Sequence, residues 1–148
     1  MFDIRVAKQG DEVAILGLIK ELALYEKAPE QVTNTVEQLR IDLFEDKICS
    51  AIVAEENHVI IGFALYYISY STWKGRCLYL EDFYVQEHKR KEGLGTMLFE
   101  EIVEIAKRLN VKRMDWQVLE WNQPAISFYE KHKAILDPEW INGRFFFD

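Results

Sequence analysis

Leu78 to Leu109, LYLEDFYVQEHKRKEGLGTMLFEEIVEIAKRL, is the stretch around which the chain is organised. Its first eight residues, Leu78 to Val85, read as a buried strand, followed by a basic loop from His88 to Lys91 and a glycine pair, Gly93 and Gly95. Leu98, Ile102, Ile105 and Leu109 then recur at helical spacing, with Glu100, Glu101, Glu104, Lys107 and Arg108 on the other face. The strand thus delivers the chain to a helix N-terminus, where first-turn N–H groups lack partners and the macrodipole adds partial positive charge. The two glycines carry no side chain to hold a ligand away, and Arg90 and Lys91 add charge, so a phosphate or pyrophosphate is the expected guest. The loop is neither a Walker loop, which needs Gly-Lys-Ser/Thr, nor a dinucleotide fingerprint, whose third glycine is replaced by Leu98. A turn that binds nothing is the plain alternative for these glycines taken alone.

The whole chain of 148 residues has the length of one domain, 1–148, able to bury about 70% of its unfolded surface. Nearly half of it is apolar and 14% aromatic, which marks a globular core. A net charge of −7 argues against a nucleic-acid partner, since phosphate affinity comes from clustered Lys and Arg; such a surface attracts small cations instead. Cys49 and Cys77 stand apart without metal or disulfide spacing, so no metal is expected. Met1-Phe2-Asp3 leads straight into strand pattern, and the apolar run from Val59 to Tyr70 is too short to span a bilayer. A cytoplasmic protein with no membrane partner is the expectation.

Taken in order, Phe2, Ile4 and Val6 alternate as a first strand, and Asp11 offers a cap to a helix whose stripe is Ile15, Leu18, Ile19 and Leu22, running to Tyr25. Thr35 and Gln38 match a capping box before a short second helix with Val36, Leu39 and Leu43. Ser50 to Glu55 and Val59 to Ser69 are strands joined by the turn Glu56-Asn57-His58, which leaves His58 at an exposed tip. Beyond the long helix, Val111 to Val118 predicts a strand, Pro124 opens a helix over Ala125 to His132, and Ile135–Leu136 and Arg144–Phe147 predict two last strands about an Asn142-Gly143 turn. The order is β-α-α-β-β-β-α-β-α-β-β.

That order, with Arg90-x-x-Gly93-x-Gly95, resembles the GNAT superfamily of acyl-coenzyme A N-acyltransferases. Glu120 to Tyr129 (EWNQPAISFY), Leu78 to Phe83 (LYLEDF) and Ile19 to Val32 resemble its spermidine/spermine, or diamine, N-acetyltransferase branch over nearly the whole chain. The resemblance implies an α/β fold with a mixed, mostly antiparallel central sheet flanked by helices. It also implies acetyl-coenzyme A as co-substrate, a small cationic amine as acceptor (polyamine, diamine or thialysine-like), direct attack in a ternary complex, and a homodimer.

An alkyl amine with a pKa near 10 is protonated at neutral pH and cannot attack a thioester until it loses a proton, so a base is needed. By resemblance Glu81 takes that proton through water and Tyr129 protonates the leaving sulfur. The resemblance further implies that the loop Arg90, Lys91, Glu92, Gly93, Leu94, Gly95 and Thr96 holds the pyrophosphate, that Asn122 meets the pantetheine arm, and that main-chain N–H near Phe83, Tyr84 and Val85 polarises the carbonyl. Tyr25, Glu26, Trp73, Glu81, Asp82 and Glu139 fall where that branch builds an acidic, aromatic-walled pocket. Glu81 and Asp82, as neighbours in a strand, are expected to point to opposite faces.

The chain departs from the family pattern at Lys91 and Lys133, where glycine is usual, and it ends at Asp148 without a longer tail. Lys91 preserves the anion site provided that it need not be left-handed. Lys133, if left-handed, costs on the order of 1 kcal/mol. The rival functions are acetylation of a protein amino group, a non-catalytic acyl-coenzyme A or polyamine sensor, and a purely structural domain.

Overall fold

The structure, a computed structural model, describes residues 2–147, and these fall into one compact unit that ends at Trp116 and a second that begins at Gln117. In the first unit β1 (Asp3–Val6), β2 (Ser50–Glu56), β3 (Val59–Ser71), β4 (Gly75–Val85) and β5 (Met114–Asp115) make one sheet in that order. The first four strands pair antiparallel and β5 runs parallel to β4. Helices α1 (Glu12–Tyr25), α2 (Val36–Arg40) and α3 (Leu94–Arg108) complete this unit, and α4 (Gln123–Lys131) lies in the second. This is the mixed α/β architecture expected from the sequence.

The two faces of the sheet follow from strand alternation. Ala51, Val53, Phe63, Leu65 and Tyr84 are buried together with Ile15, Leu16 and Leu18 of α1 and with Leu39 and Leu43, so they define one face. Phe83 points the other way, its ring 5.7 Å from that of Phe99 on α3, which in turn meets Trp116 edge-on at 5.6 Å. Leu94, Leu98, Ile102 and Ile105 of α3 are buried at the spacing read from the sequence, whereas Leu109 caps the helix and is exposed.

Local chemistry sets several of the ends. Thr35 Oγ1 accepts from Gln38 N at 3.1 Å, but the Gln38 side chain donates forward to Asp42 instead of closing the capping box. Asn57 and His58 both have positive φ, 52° and 66°, the handedness that a two-residue hairpin requires. Asp11 precedes α1 as expected but does not cap it: its carboxylate accepts from Arg5 Nη1 at 2.7 Å and Lys8 N at 2.8 Å. Asp11 also has helical backbone angles, φ −70° and ψ −17°, where a capping residue is usually extended.

Two expectations are corrected. The strand predicted over 111–118 pairs only at Met114–Asp115, although Lys112 and Arg113 also bond to the backbone of β4. Ile135–Leu136 and Arg144–Phe147 form no strands; residues 134–147 carry no helix or ladder, and Asn142 accepts from Gln117 Nε2 at 2.6 Å instead of turning a hairpin. A short apolar run marks a segment able to pair, but a strand needs a neighbouring edge, and Ile135 and Phe147 are 95% and 97% exposed.

Gly62 marks a close approach. A Cβ there would lie 3.1 Å from the Tyr84 carbonyl oxygen and 3.3 Å from Val85 Cγ2, so β3 would have to move off β4. Gly62→Ala is expected to lower stability by about 1–3 kcal/mol in urea unfolding; an unchanged midpoint would show that the ladder yields without cost.

Candidate active site

The loop before α3 is shaped by backbone handedness. After a short turn at Glu87–Lys89, anchored by the Lys89–Glu56 ion pair, Lys91 has φ 69° and Gly93, the N-cap of α3, has φ 84°. The condition attached to Lys91 therefore fails: it is left-handed, as glycine would be, at a cost on the order of 1 kcal/mol. The space that a Cβ on Gly93 would occupy is open to 4 Å, so a ligand could approach the backbone there. α3 is fifteen residues long and carries no acidic residue in its first turn. The donor set, Lys91 and Arg90 beside an unblocked helix start, fits an anion of pyrophosphate type.

Arg90 is held from behind. Its Nε donates to the Val85 carbonyl at 3.1 Å, and its guanidinium carbon lies 5.1 Å from the centre of the Tyr25 ring and 5.5 Å from that of Tyr84. Tyr84 Oη donates to Glu21 at 3.2 Å, and Gln86 Nε2 donates to the same carboxylate. Tyr25, expected in the amine pocket, thus presents its ring to the loop arginine.

A second cluster lies beyond it on the α1 face. Leu65 pairs with Asp82 and Tyr66 with Leu80, so Glu81 is an extra, unopposed residue in β4. The bulge interrupts the alternation that was expected to send Glu81 and Asp82 apart. Asp82 shares the α1 face with Leu65, and past the bulge Tyr67 and Tyr79 pair on that same face with rings stacked at 5.3 Å. Burial, then the charges of Glu81 and Glu26, push the Asp82 carboxyl up to about 7. Burial raises Glu26 as well. Burial and the Glu81 charge push the Tyr79 phenol up to about 12, so it remains a neutral donor at every physiological pH. Glu26, Glu81 and Asp82 are therefore brought together, and Tyr67 and Tyr79 join them. Sequence reasoning missed the tyrosine pair because only the ladder register reveals it.

Trp73 stands at the β3–β4 hairpin tip, 81% exposed, with its main-chain N–H bonded to Ser71 Oγ. In the second unit Asn122 Oδ1 accepts from Ala125 N at 3.4 Å, the ordinary N-cap of α4, and Pro124 sits in the first turn. Tyr129 is buried, with Phe128 edge-on at 5.5 Å. Glu139 is exposed, and its N–H donates to Asp137. Lys133 is left-handed, φ 65°, as its glycine-like position implied.

The model of the Acetyltransferase (GNAT) family matches residues 17–133. The chain belongs to that family. It is 41% identical over 136 residues to the thialysine N-epsilon-acetyltransferase of Bos taurus, across 86% of this chain and 80% of that protein. It is 36% identical over 142 residues to the Homo sapiens spermidine/spermine N(1)-acetyltransferase-like protein 1, across 90% of this chain and 20% of that longer one. Among solved structures, an integron cassette protein from the mobile metagenome of V. cholerae superposes with a TM-score of 0.79 at 25% identity, covering 99% of this chain and 93% of that one. As a GNAT acetyltransferase the chain is an enzyme, which sets aside the sensor and structural alternatives. No helix among the described residues is long and apolar enough to cross a membrane.

The Asp82 shift carries a stability consequence. A carboxyl whose folded pKa lies above its unfolded value of 3.8 costs nothing below pH 3.8, and its cost grows as pH rises until about 7. Asp82→Asn is expected to be more stable than wild type at pH 8, by on the order of 1–3 kcal/mol, with the difference closing towards pH 4. Paired urea titrations measure it; a gain of equal size at both pH values would assign the effect to packing.

Proposed function

We propose that this N-acetyltransferase moves acetyl from acetyl-coenzyme A to a primary amine of a small, multiply cationic substrate, a polyamine or diamine or a thialysine-like amino acid. The observation that carries this is the grouping of Glu26, Glu81 and Asp82 beside the stacked Tyr67 and Tyr79. Carboxylates attract ammonium groups and tyrosine faces attract cations, while burial of Asp82 strengthens the attraction by excluding water. The names of the bovine and human relatives support the same class of acceptor.

In this scheme the pyrophosphate lies against Lys91 and the backbone from Arg90 to Thr96, with Gly93, Leu94 and Gly95 at the helix start. The β4–β5 ladder ends at Tyr79 and Asp115, so β5 does not pair with β4 from Leu80 onward; the pantetheine arm would run there, past Phe83, Tyr84 and Val85, and Asn122 is assigned to the same arm by family resemblance. Glu81 takes the ammonium proton through water, and the freed lone pair attacks the thioester carbonyl. The C–N bond forms, the C–S bond breaks as Tyr129 gives its proton to the sulfur, and the second proton shed by the nitrogen returns through water to Tyr129. Asp82 and Glu26 hold the remaining positive charge of the substrate, and Tyr25, Trp73 and Glu139 are assigned to substrate binding by family resemblance. The enzyme works without a metal, as one domain and as a cytoplasmic homodimer. Exposed Trp140, Ile141, Phe145 and Phe146 offer apolar surface that a second copy would cover.

The test is coenzyme A release from acetyl-coenzyme A with spermidine, spermine, putrescine, thialysine, lysine and a lysine-containing peptide. Release driven by small amines, and reduced by about 10²-fold or more in Tyr129→Phe with acetyl-coenzyme A affinity retained, is the expected result. Turnover of the peptide alone would move the assignment to a protein substrate. For Glu81→Gln the deficit should shrink as pH rises and the amine deprotonates without help; a deficit constant from pH 7 to 10 would remove Glu81 as base.

A further inference from the structure

Arg90 stands in the loop where a phosphate-binding cation is wanted, yet its side chain turns back into the fold. Its Nε is spent on the Val85 carbonyl at 3.1 Å, and its planar head lies against Tyr25 at 5.1 Å and Tyr84 at 5.5 Å. Tyr84 is fixed in turn by its 3.2 Å bond to Glu21, which Gln86 also holds. Tyr25 is the last residue of α1, and the next residue, Glu26, is the carboxylate whose charge acts on Asp82. A continuous set of contacts therefore joins the anion loop to the amine end of α1. We propose that Arg90 is a positioning residue which, bracketed by Tyr25 and Tyr84, couples occupation of the pyrophosphate loop to ordering of the amine site.

The inference rests on the acetyl-coenzyme A assignment above and adds to it. A pyrophosphate at Lys91 and Gly93 would fix the backbone that carries Arg90. The stacked guanidinium would then hold Tyr25, and with it the turn that carries Glu26. Whichever substrate binds first orders the shared bracket, and the second is spared that cost, so each tightens the other by the same factor. Arginine suits this role and lysine does not, because only a planar head stacks on two rings while Nε donates.

The test is calorimetric titration of desulfo-coenzyme A, a probe that cannot react, with and without saturating spermidine and, in parallel, thialysine. In wild type one of these amines should tighten desulfo-coenzyme A about fivefold or more. Arg90→Lys, which keeps a cation beside the loop, and Tyr25→Leu, which leaves the loop sequence intact, should both bring that ratio to within about twofold of one. Tyr25→Phe keeps the ring and should keep the ratio. The ratio is insensitive to a general loss of stability, which weakens both titrations alike. A wild-type ratio of one, or coupling that persists in both disruptive variants, would overturn the proposal. Failure of wild type to bind desulfo-coenzyme A at all would remove the co-substrate assignment beneath it.

Discussion

Because Leu65 pairs with Asp82 and the adjacent Tyr66 pairs with Leu80, one residue of β4 has no partner across the ladder, and the chemistry of the α1 face follows from that surplus. A regular strand would alternate Glu81 and Asp82 between faces and leave one carboxylate per side. The bulge at Glu81 lets its charge act on Asp82, Tyr67 and Tyr79 together. A carboxyl raised by burial, as Asp82 is on this patch of sheet, costs stability at neutral pH. Such a patch is tolerated where a ligand of opposite charge is to be bound.

A similar exchange of stability for shape recurs in the loop. Lys91 and Lys133 both adopt positive φ although each has a Cβ, and each gives up on the order of 1 kcal/mol relative to glycine. At Lys91 the residue brings a positive charge to the turn that leads into α3, a gain that glycine could not supply. At Lys133 no such gain is evident: it follows α4 in an exposed turn, and nothing in its surroundings explains the lysine.

Features decided by neighbours in sequence were legible. The α1 stripe, the Thr35 cap, the Asn57–His58 turn and the glycine-led start of α3 each depend on residues within about one turn, and local propensity governs at that range. Features decided by partners far along the chain were not. Asp11 looked like a cap because the sequence does not say that Arg5 folds back on it; the bulge depends on how β3 and β4 slide past one another; and the last two strands were read from short apolar runs where pairing decides. The candidate site divides the same way. Arg90 was visible as a basic residue before a glycine pair and Glu26, Glu81 and Asp82 through the family resemblance, while Tyr67 and Tyr79 became visible only through register, and Tyr25 presents its ring to the loop arginine.

The electrostatics also bear on how a cycle would end. In the proposed scheme an acceptor amine enters as a cation attracted by Asp82 and Glu26, and transfer of acetyl converts one ammonium into a neutral amide. The product therefore carries one positive charge less into the same half-buried carboxylate group, and its attraction falls by the interaction of that charge, which is larger here than in bulk water. For a diamine the loss is half of the substrate charge. For a zwitterionic amino acid the product is left with a negative carboxylate and a single ammonium facing an acidic site. In either case chemistry itself weakens binding, so tight capture of the substrate need not slow release of the product. An acidic patch that is costly to the empty fold thus discriminates between substrate and product by charge alone.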